Sequence, residues 1–350
     1  MSKILYVEDE LIRNYGTCKK LFFSLLDPQA QEKLNELEQR NSITQNDIQD
    51  AYQNVSAVDI CATYPAALAK ISSNRQDYDL FVIDRDLSAI PYTSEIDKIT
   101  EVLTTLDFPR PSELLKEYQG REGDLLLLIL LKADRECRNK VFLVTTYTPE
   151  SLSSMKVFQD VLEVTDFPQD RIIEKHSAGE DKIVSVLADL SSFSIQNAYT
   201  KECAILRRWF SENMVNVYVE MVKASADHGR KIDFLQKLRP LLETLLVSLA
   251  RKIHENNARY WDDGAEPNLR VMEFVKSLDY LDLRWEIDYN NVVKQALFSL
   301  WKISSDYGNH PNSNPDDVTS YTVKTLLYQI NDVILWYDSA IKGGNQRKET

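Results

Sequence analysis

The sequence predicts an α/β domain built on a doubly wound five-stranded parallel sheet, followed by an all-α helical bundle. Three observations carry that reading. Short, nearly continuous apolar runs alternate with helix-period segments as far as about residue 195, the pattern of parallel strands covered on both faces. Beyond residue 196 the strand signals stop and apolar stripes at helical spacing continue to the end. Glycine is scarce, 9 in 350 residues, which disfavours turn-dense all-β folds.

In chain order, the first strand is read at 3–7 (KILYV), with a helix from Leu11 to Leu26. Residues 27–54 are polar and helix-prone, an insertion that lengthens the first crossover. A second strand at 55–62 leads to a helix from Pro65 to Ile71, and a third strand lies at 79–83. Residues 88–120 form a second insertion, with Pro91, Pro109 and Pro111 in loop-like surroundings and the helix-like TSEIDKITEVLTTL between. A helix from Gly123 to Cys137, a strand at 141–144, a helix from Pro149 to Leu162, a strand at 171–173 and a helix from Ala178 to Leu190 complete the domain 1–195.

The helical domain spans 196–342. Its stripes include Leu241, Leu242, Leu245, Leu246 and Leu249, then Val292, Val293, Ala296, Leu297, Leu300 and Trp301, then Val323, Leu326, Leu327, Ile330, Val333 and Ile334. Trp301, Trp336 and Tyr337 share that spacing and read as core, whereas Arg207-Arg208-Trp209 reads as a solvated helix face. One helix is expected to end at Ser305, before a Pro/Asn-rich loop whose Asp316, Asp317 or Thr319 caps the next. Residues 343–350 are expected to be a disordered tail.

Acidic side chains outnumber basic ones, 54 to 41, for a net charge of −13, which disfavours non-specific duplex binding. The apolar run Leu125–Leu131 is far short of the ~20 residues that span a bilayer, so no membrane segment is expected. The opening MSKILYVEDE turns acidic too soon for a signal peptide. Four scattered cysteines, Cys18, Cys61, Cys137 and Cys203, suggest neither a disulfide framework nor a zinc cluster, and the cytoplasm is the expected compartment.

Ligands of doubly wound sheets bind at the carboxyl ends of the strands, so the residues just after each strand carry the functional signal. Here they are Glu8-Asp9, Asp84-Arg85-Asp86, Thr145-Thr146 and Lys175. Carboxylates converging on one edge repel unless a cation lies between them, and hard oxygen ligands suit Mg²⁺. A lysine and a hydroxyl complete a pocket for a phosphoryl group.

On these residues the chain resembles the receiver domain of bacterial response regulators. The matching pieces are KILYVEDE, DYDLFVIDRDL, GDLLLLILL, VFLVTT and RIIEKH, within roughly residues 1–195. The resemblance implies that Asp84 takes phosphate from a phosphohistidine, and that Glu8, Asp9, Asp84 and the backbone carbonyl of Asp86 hold Mg²⁺. Thr145 and Lys175 would contact the phosphoryl oxygens. It implies a histidine kinase or phosphotransfer protein as partner, and no enzymatic activity beyond self-phosphorylation and dephosphorylation. The sequence departs from the family where His176 stands in place of the usual proline, Ile172-Ile173 in place of the aromatic on the fifth strand, and Thr146 in place of a small residue. The chain between Asp9 and Asp84, and between Asp84 and Thr145, is also longer than a compact receiver needs. The second insertion leaves beside the phosphoacceptor loop, where it would either lie over the site or pack on the domain as a surface elaboration.

LRPLLETLLVSLARKI and LFSLWKISSDYGNH resemble HEPN-type helical domains, whose nuclease members carry an arginine several residues before a histidine. His310 is present, but ISSD occupies the place of the arginine, and Lys302 does not replace a planar guanidinium. The expectation is an atypical two-component response regulator with a helical interaction or output domain. A regulated HEPN-type ribonuclease and a phosphorylation-independent scaffold remain as alternatives. Homodimerisation stays open, and RNA binding is not favoured.

Overall fold

A computed structural model describes residues 3–40, 42–52, 57–146, 167–254, 292–308 and 317–346. The chain divides into two compact units, 1–197 and 198–350.

The first unit is built on a five-stranded sheet in the order β2-β1-β3-β4-β5. The strands are β1 (Ile4–Val7), β2 (Val58–Cys61), β3 (Leu80–Asp84), β4 (Val141–Thr145) and β5 (Ile172–Glu174). Every pairing is parallel, with Tyr6 beside Ile60 and Val82, Asp84 beside Val144, and Thr145 beside Glu174. Every residue of β1, β3 and β4 is buried, which is why these strands read as unbroken apolar runs rather than alternating ones.

Helices cover both faces. On one, α1 (Tyr15–Phe22) and α8 (Glu180–Ala188) pack Cys18, Leu21, Phe22, Ile183 and Leu187 against Ile4, Tyr6, Leu80, Val82 and Val144. The insertion 27–54 belongs to this layer as α2 (Pro28–Glu38) and α3 (Gln45–Tyr52), through Leu34, Leu37, Ile48 and Tyr52. Asp27 caps α2 by accepting a hydrogen bond from the Ala30 N–H at 2.8 Å, with Pro28 in the first helical position.

On the other face lie α4 (Tyr64–Asn74) and α7 (Glu122–Ala133), whose leucines pack against Leu5, Val7, Phe81, Ile83 and Leu143. The insertion 88–120 joins them as α5 (Ile96–Thr105) and α6 (Pro111–Glu117), burying Ile99, Leu103, Phe108, Leu114 and Tyr118. Both insertions are therefore part of the core, each side chain so buried contributing ~1.5–3 kcal/mol of transfer free energy.

Several boundaries differ from expectation for local reasons. The helix expected over 11–26 runs only from Tyr15 to Phe22 before a 3₁₀ turn, because residues 8–14 are held in a loop by the Glu8 carboxylate, which accepts from the Glu10 N–H at 3.1 Å. The helix expected to reach Cys137 stops at Ala133, where Asp134 turns extended. The helix expected over 178–190 breaks at Asp189, whose carboxylate accepts from the Ser192 N–H and hydroxyl and so starts α9 (Leu190–Ala198). The helix expected at 149–162 lies outside the described residues.

The second unit is all helical in its described residues: α10 (Thr200–Trp209), α11 (Glu212–Ala226), α12 (Lys231–His254), α13 (Lys294–Gly308) and α14 (Ser320–Gln346). The central helix α12 packs against α11, α13 and α14. Trp301, Trp336 and Tyr337 are buried as expected. Polar links cross the bundle from Tyr218 to Asn331 at 2.8 Å, from the Trp209 indole N–H to Asp338 at 2.7 Å, and from the Arg239 guanidinium to the Trp301 ring, 3.7 Å above its centroid.

Two expectations here are corrected. The helix expected to end at Ser305 continues to Gly308, where a Cβ would stand 3.3 Å from the Leu235 backbone, so glycine lets the two helices meet. The tail expected to be disordered from 343 remains helical to Gln346, since propagation adds one hydrogen bond per residue to a helix already formed. Thr319 caps α14, its hydroxyl accepting from the Thr322 N–H at 3.1 Å.

Candidate functional site

In the order β2-β1-β3 the crossovers from β1 and β3 leave on opposite faces, which opens a crevice at the carboxyl ends of these two strands. Glu8 and Asp9 follow β1 directly, Asp84 is the last residue of β3, Thr145 the last of β4, and Lys175 follows β5. Residues 8, 84 and 175 have the parity of Tyr6, Val82 and Ile173, which face the same helical layer, so sheet geometry brings their side chains together.

Lys175 Nζ lies 2.6 Å from Asp84 Oδ2 and 2.6 Å from Glu8 Oε2, with all three side chains almost fully buried. Its backbone N–H donates to the Thr145 carbonyl at 2.7 Å, which fixes the base of the side chain to β4. Tyr6 adds a long hydroxyl contact of 3.5 Å to the same Glu8 oxygen. Asp9 Oδ2 accepts from the Ala89 N–H at 2.7 Å, while Asp9 Oδ1 is buried without a partner.

The electrostatics follow from crowding. Burial, then the neighbouring Glu8 carboxylate, pushes the Asp84 carboxyl well above the ordinary range, against the pull of Lys175. Asp9 rises to about 6, chiefly through burial, with the Glu8 and Asp86 charges adding to it and the Ala89 N–H opposing. Burial works against charge on Lys175 as well, but the Asp84 and Glu8 carboxylates outweigh it and raise its pKa. One lysine thus faces two of the three carboxylates.

Glu8, Asp9 and Asp84 each offer an oxygen within 4.8 Å of the others, so this buried triad can hold a metal ion. The orphaned Asp9 Oδ1 supports the fit: a buried carboxylate oxygen without a donor is costly unless a cation takes it. The oxygen-only donor set suits a hard divalent ion.

Beside the triad lies a cleft of about 210 Å³ lined by Asp9, Arg13, Asp84, Asp86, Thr145 and Thr146 among others. Thr145 is buried and Thr146 exposed, and both reach the cleft. The Asp86 carboxylate is turned to its own loop, accepting from the Ser88 N–H at 3.1 Å and the Ser88 hydroxyl at 2.5 Å. The second insertion touches the cleft only at its first residues, Ser88 and Ala89, while its helices pack on the sheet.

His176, where receivers have proline, adopts φ 60°, and its N–H donates to the buried Glu180 carboxylate at 2.8 Å. A proline, with φ near −65° and no N–H, fits neither feature. The same Glu180 oxygen accepts from the Thr17 hydroxyl at 2.9 Å, tying α1, α8 and the loop after β5 together.

Sequence reading missed what holds the loop after β3. A Cβ on Gly123 would stand 1.9 Å from the Asp84 carbonyl oxygen, so the first turn of α7 meets the end of β3 only because residue 123 is glycine. Its N–H donates to the Arg85 carbonyl at 3.1 Å. Next to it, the buried Glu122 carboxylate accepts from the Leu87 N–H at 3.3 Å and the Tyr92 hydroxyl at 3.1 Å. The sequence signal was a lone glycine between two acids at a helix start, which alone reads as a turn.

His310, the histidine considered for ribonuclease chemistry, lies outside the described residues. Arg207 and Arg208 are exposed and pair with Glu212 and Asp338. Among the described residues no helix is long and apolar enough to cross a membrane. Comparison with known proteins returns no matching family model, curated protein or solved structure, so the chemistry rests on this chain's own geometry.

Proposed function

We propose that the first unit is a phosphoryl-accepting receiver in which Asp84 forms an acyl phosphate, and that this event governs the helical unit, which acts as an interaction or output module. The observation that supports it most is the contact of Lys175 Nζ with both Asp84 and Glu8 at 2.6 Å, beside an Asp9 oxygen left unpaired. In this reading the donor is a phosphohistidine of a kinase or phosphotransfer protein, and the protein works in the cytoplasm.

An Asp84 carboxylate oxygen attacks phosphorus, the P–N bond to the donor imidazole breaks, and its electron pair stays on the ring nitrogen. Asp84 attacks as the carboxylate, the form that its contact with the Lys175 ammonium favours. Lys175 exchanges its contact with the carboxylate for one with a phosphoryl oxygen, and the Thr145 hydroxyl donates to another. Glu8, Asp9, Asp84 and the Asp86 carbonyl would hold Mg²⁺, which would supply positive charge against the phosphoryl oxygens.

The test is intact-mass measurement after incubation with acetyl phosphate, with and without Mg²⁺. The wild type should gain one phosphoryl group only with Mg²⁺, and Asp84→Asn should gain none. Equal gain in the variant sinks the assignment. The scaffold alternative has one observation in its favour, that Lys175 already pairs with both Asp84 and Glu8, and it predicts no gain in either protein.

A further inference from the structure

Directly after Asp84 the chain places a buried cation that the proposed chemistry does not use. Arg85 Nε and Nη2 donate to Asp124 Oδ1 and Oδ2 at 2.9 and 2.8 Å, a two-pronged pair with the aspartate fully buried in the first turn of α7. Successive strand side chains point to opposite faces. Val82 packs with the α1 layer, whereas Ile83 and Leu87 pack with the α7 layer, so Arg85 reaches away from the face that carries the acidic site.

The backbone at this point is held from three directions. The Arg85 N–H donates to the Val144 carbonyl at 3.0 Å, the Arg85 carbonyl accepts from Gly123 at 3.1 Å, and the Asp84 carbonyl lies against the Gly123 Cα. The guanidinium fork adds an orientation that a single contact cannot, because two parallel hydrogen bonds fix a plane.

We infer that Arg85 and Asp124 are a positioning pair, which sets the Asp84 carboxylate against Lys175 and Asp9 from the opposite face of the sheet. The inference rests on the reading of Asp84 as phosphoacceptor and cation ligand. Neither residue touches the reacting atoms. The pair acts through the peptide that joins residues 84 and 85, anchoring it to the helix that also carries Gly123. A buried ion pair is a costly way to stabilise a fold and an apolar pair of similar volume often does as well, whereas only the ion pair dictates orientation.

The double substitution Arg85→Met with Asp124→Val removes the fork, nearly keeps the summed volume and leaves no unpaired charge. Thermal melting and calorimetric titration with Mg²⁺, alone and with beryllofluoride, are read on the full chain. The expected result is a melting temperature close to that of the wild type with affinity for both probes lower by about tenfold to a hundredfold, the scale of a small misplacement at a reacting centre. A folded double variant with wild-type affinities overturns the inference. Should the double variant not fold, Arg85→Lys keeps the charge without the fork and is expected to show the same loss, and wild-type affinity there overturns it equally. A wild type that binds Mg²⁺ but no beryllofluoride overturns the phosphoryl reading alone, and the Mg²⁺ titration still decides the pair. A wild type that binds neither overturns both.

Discussion

Asp9 spends one carboxylate oxygen on the Ala89 N–H and keeps the other buried and unpaired, which marks it as the group most changed by a cation. The residues around it are held by equally specific contacts, and two give direct predictions. Gly123→Ala places a methyl group 1.9 Å from the Asp84 carbonyl, an overlap with backbone that nothing flexible can relieve. Chemical denaturation should show a loss of ~3 kcal/mol or more, the scale of severe overpacking in a core, together with weaker Mg²⁺ binding. His176→Pro brings the chain closer to the receiver pattern, yet it removes the N–H that Glu180 accepts and forbids φ 60°. Its expected cost is ~2–4 kcal/mol in the same measurement, from a lost charged hydrogen bond and a forced backbone change. The acidic residues and Lys175 were legible as a group because sheet topology alone delivers strand ends to one edge. Gly123 and the Arg85–Asp124 pair were not, because their meaning depends on α7 lying against β3, a contact between segments almost 40 residues apart in the chain.

At the scale of elements, the strands were the most legible feature. LFVI and VFLV are apolar throughout because both faces of these strands are covered, and each run ends in the polar residue, Asp84 or Thr145, that stands at the sheet edge. Helix ends were less legible because side chains decided them: Asp189 ends the helix expected over 178–190 and starts a further one beyond it, and the Glu8 carboxylate delays the start of α1. For the insertion 88–120 the sequence leaves open a cover for the site and a surface elaboration packed on the domain, and in the structure it reaches the cleft only through Ser88 and Ala89 and otherwise extends the core. The β1–β2 edge offers a pH test. Partial burial works against the charge on Asp59, but the Tyr78 hydroxyl at 2.6 Å and the Lys70 and Lys3 ammonium groups, each at 3.0 Å, outweigh it and hold its pKa below the usual value. A lowered folded-state pKa stabilises above the unfolded value of about 3.9, and the contribution disappears as pH falls through the folded one. Asp59→Asn should therefore cost ~0.5–1.5 kcal/mol at neutral pH, the scale of hydrogen bonds and half-exposed ion pairs. The gap between wild type and variant should close in denaturation series taken below about pH 4.

At the scale of the molecule, the two compact units differ: a parallel sheet gathers Glu8, Asp9 and Asp84 at one edge, whereas the helical unit has no such cluster of metal-ligating side chains among its described residues. The division was legible because strand periodicity stops close to residue 196 and never returns. What the helical unit contacts was not, since amphipathic stripes such as Leu241, Leu245 and Leu249 specify that a face is buried without specifying against what. The account's central claim is that Asp84 carries an acyl phosphate formed with a divalent cation. Borohydride reduction of the protein after acetyl phosphate treatment converts such an aspartate to homoserine, which peptide mass mapping locates. The account predicts homoserine at position 84 in the presence of Mg²⁺ and none when EDTA replaces it. Conversion at another residue, or unmodified Asp84 in protein that has bound Mg²⁺, would contradict it.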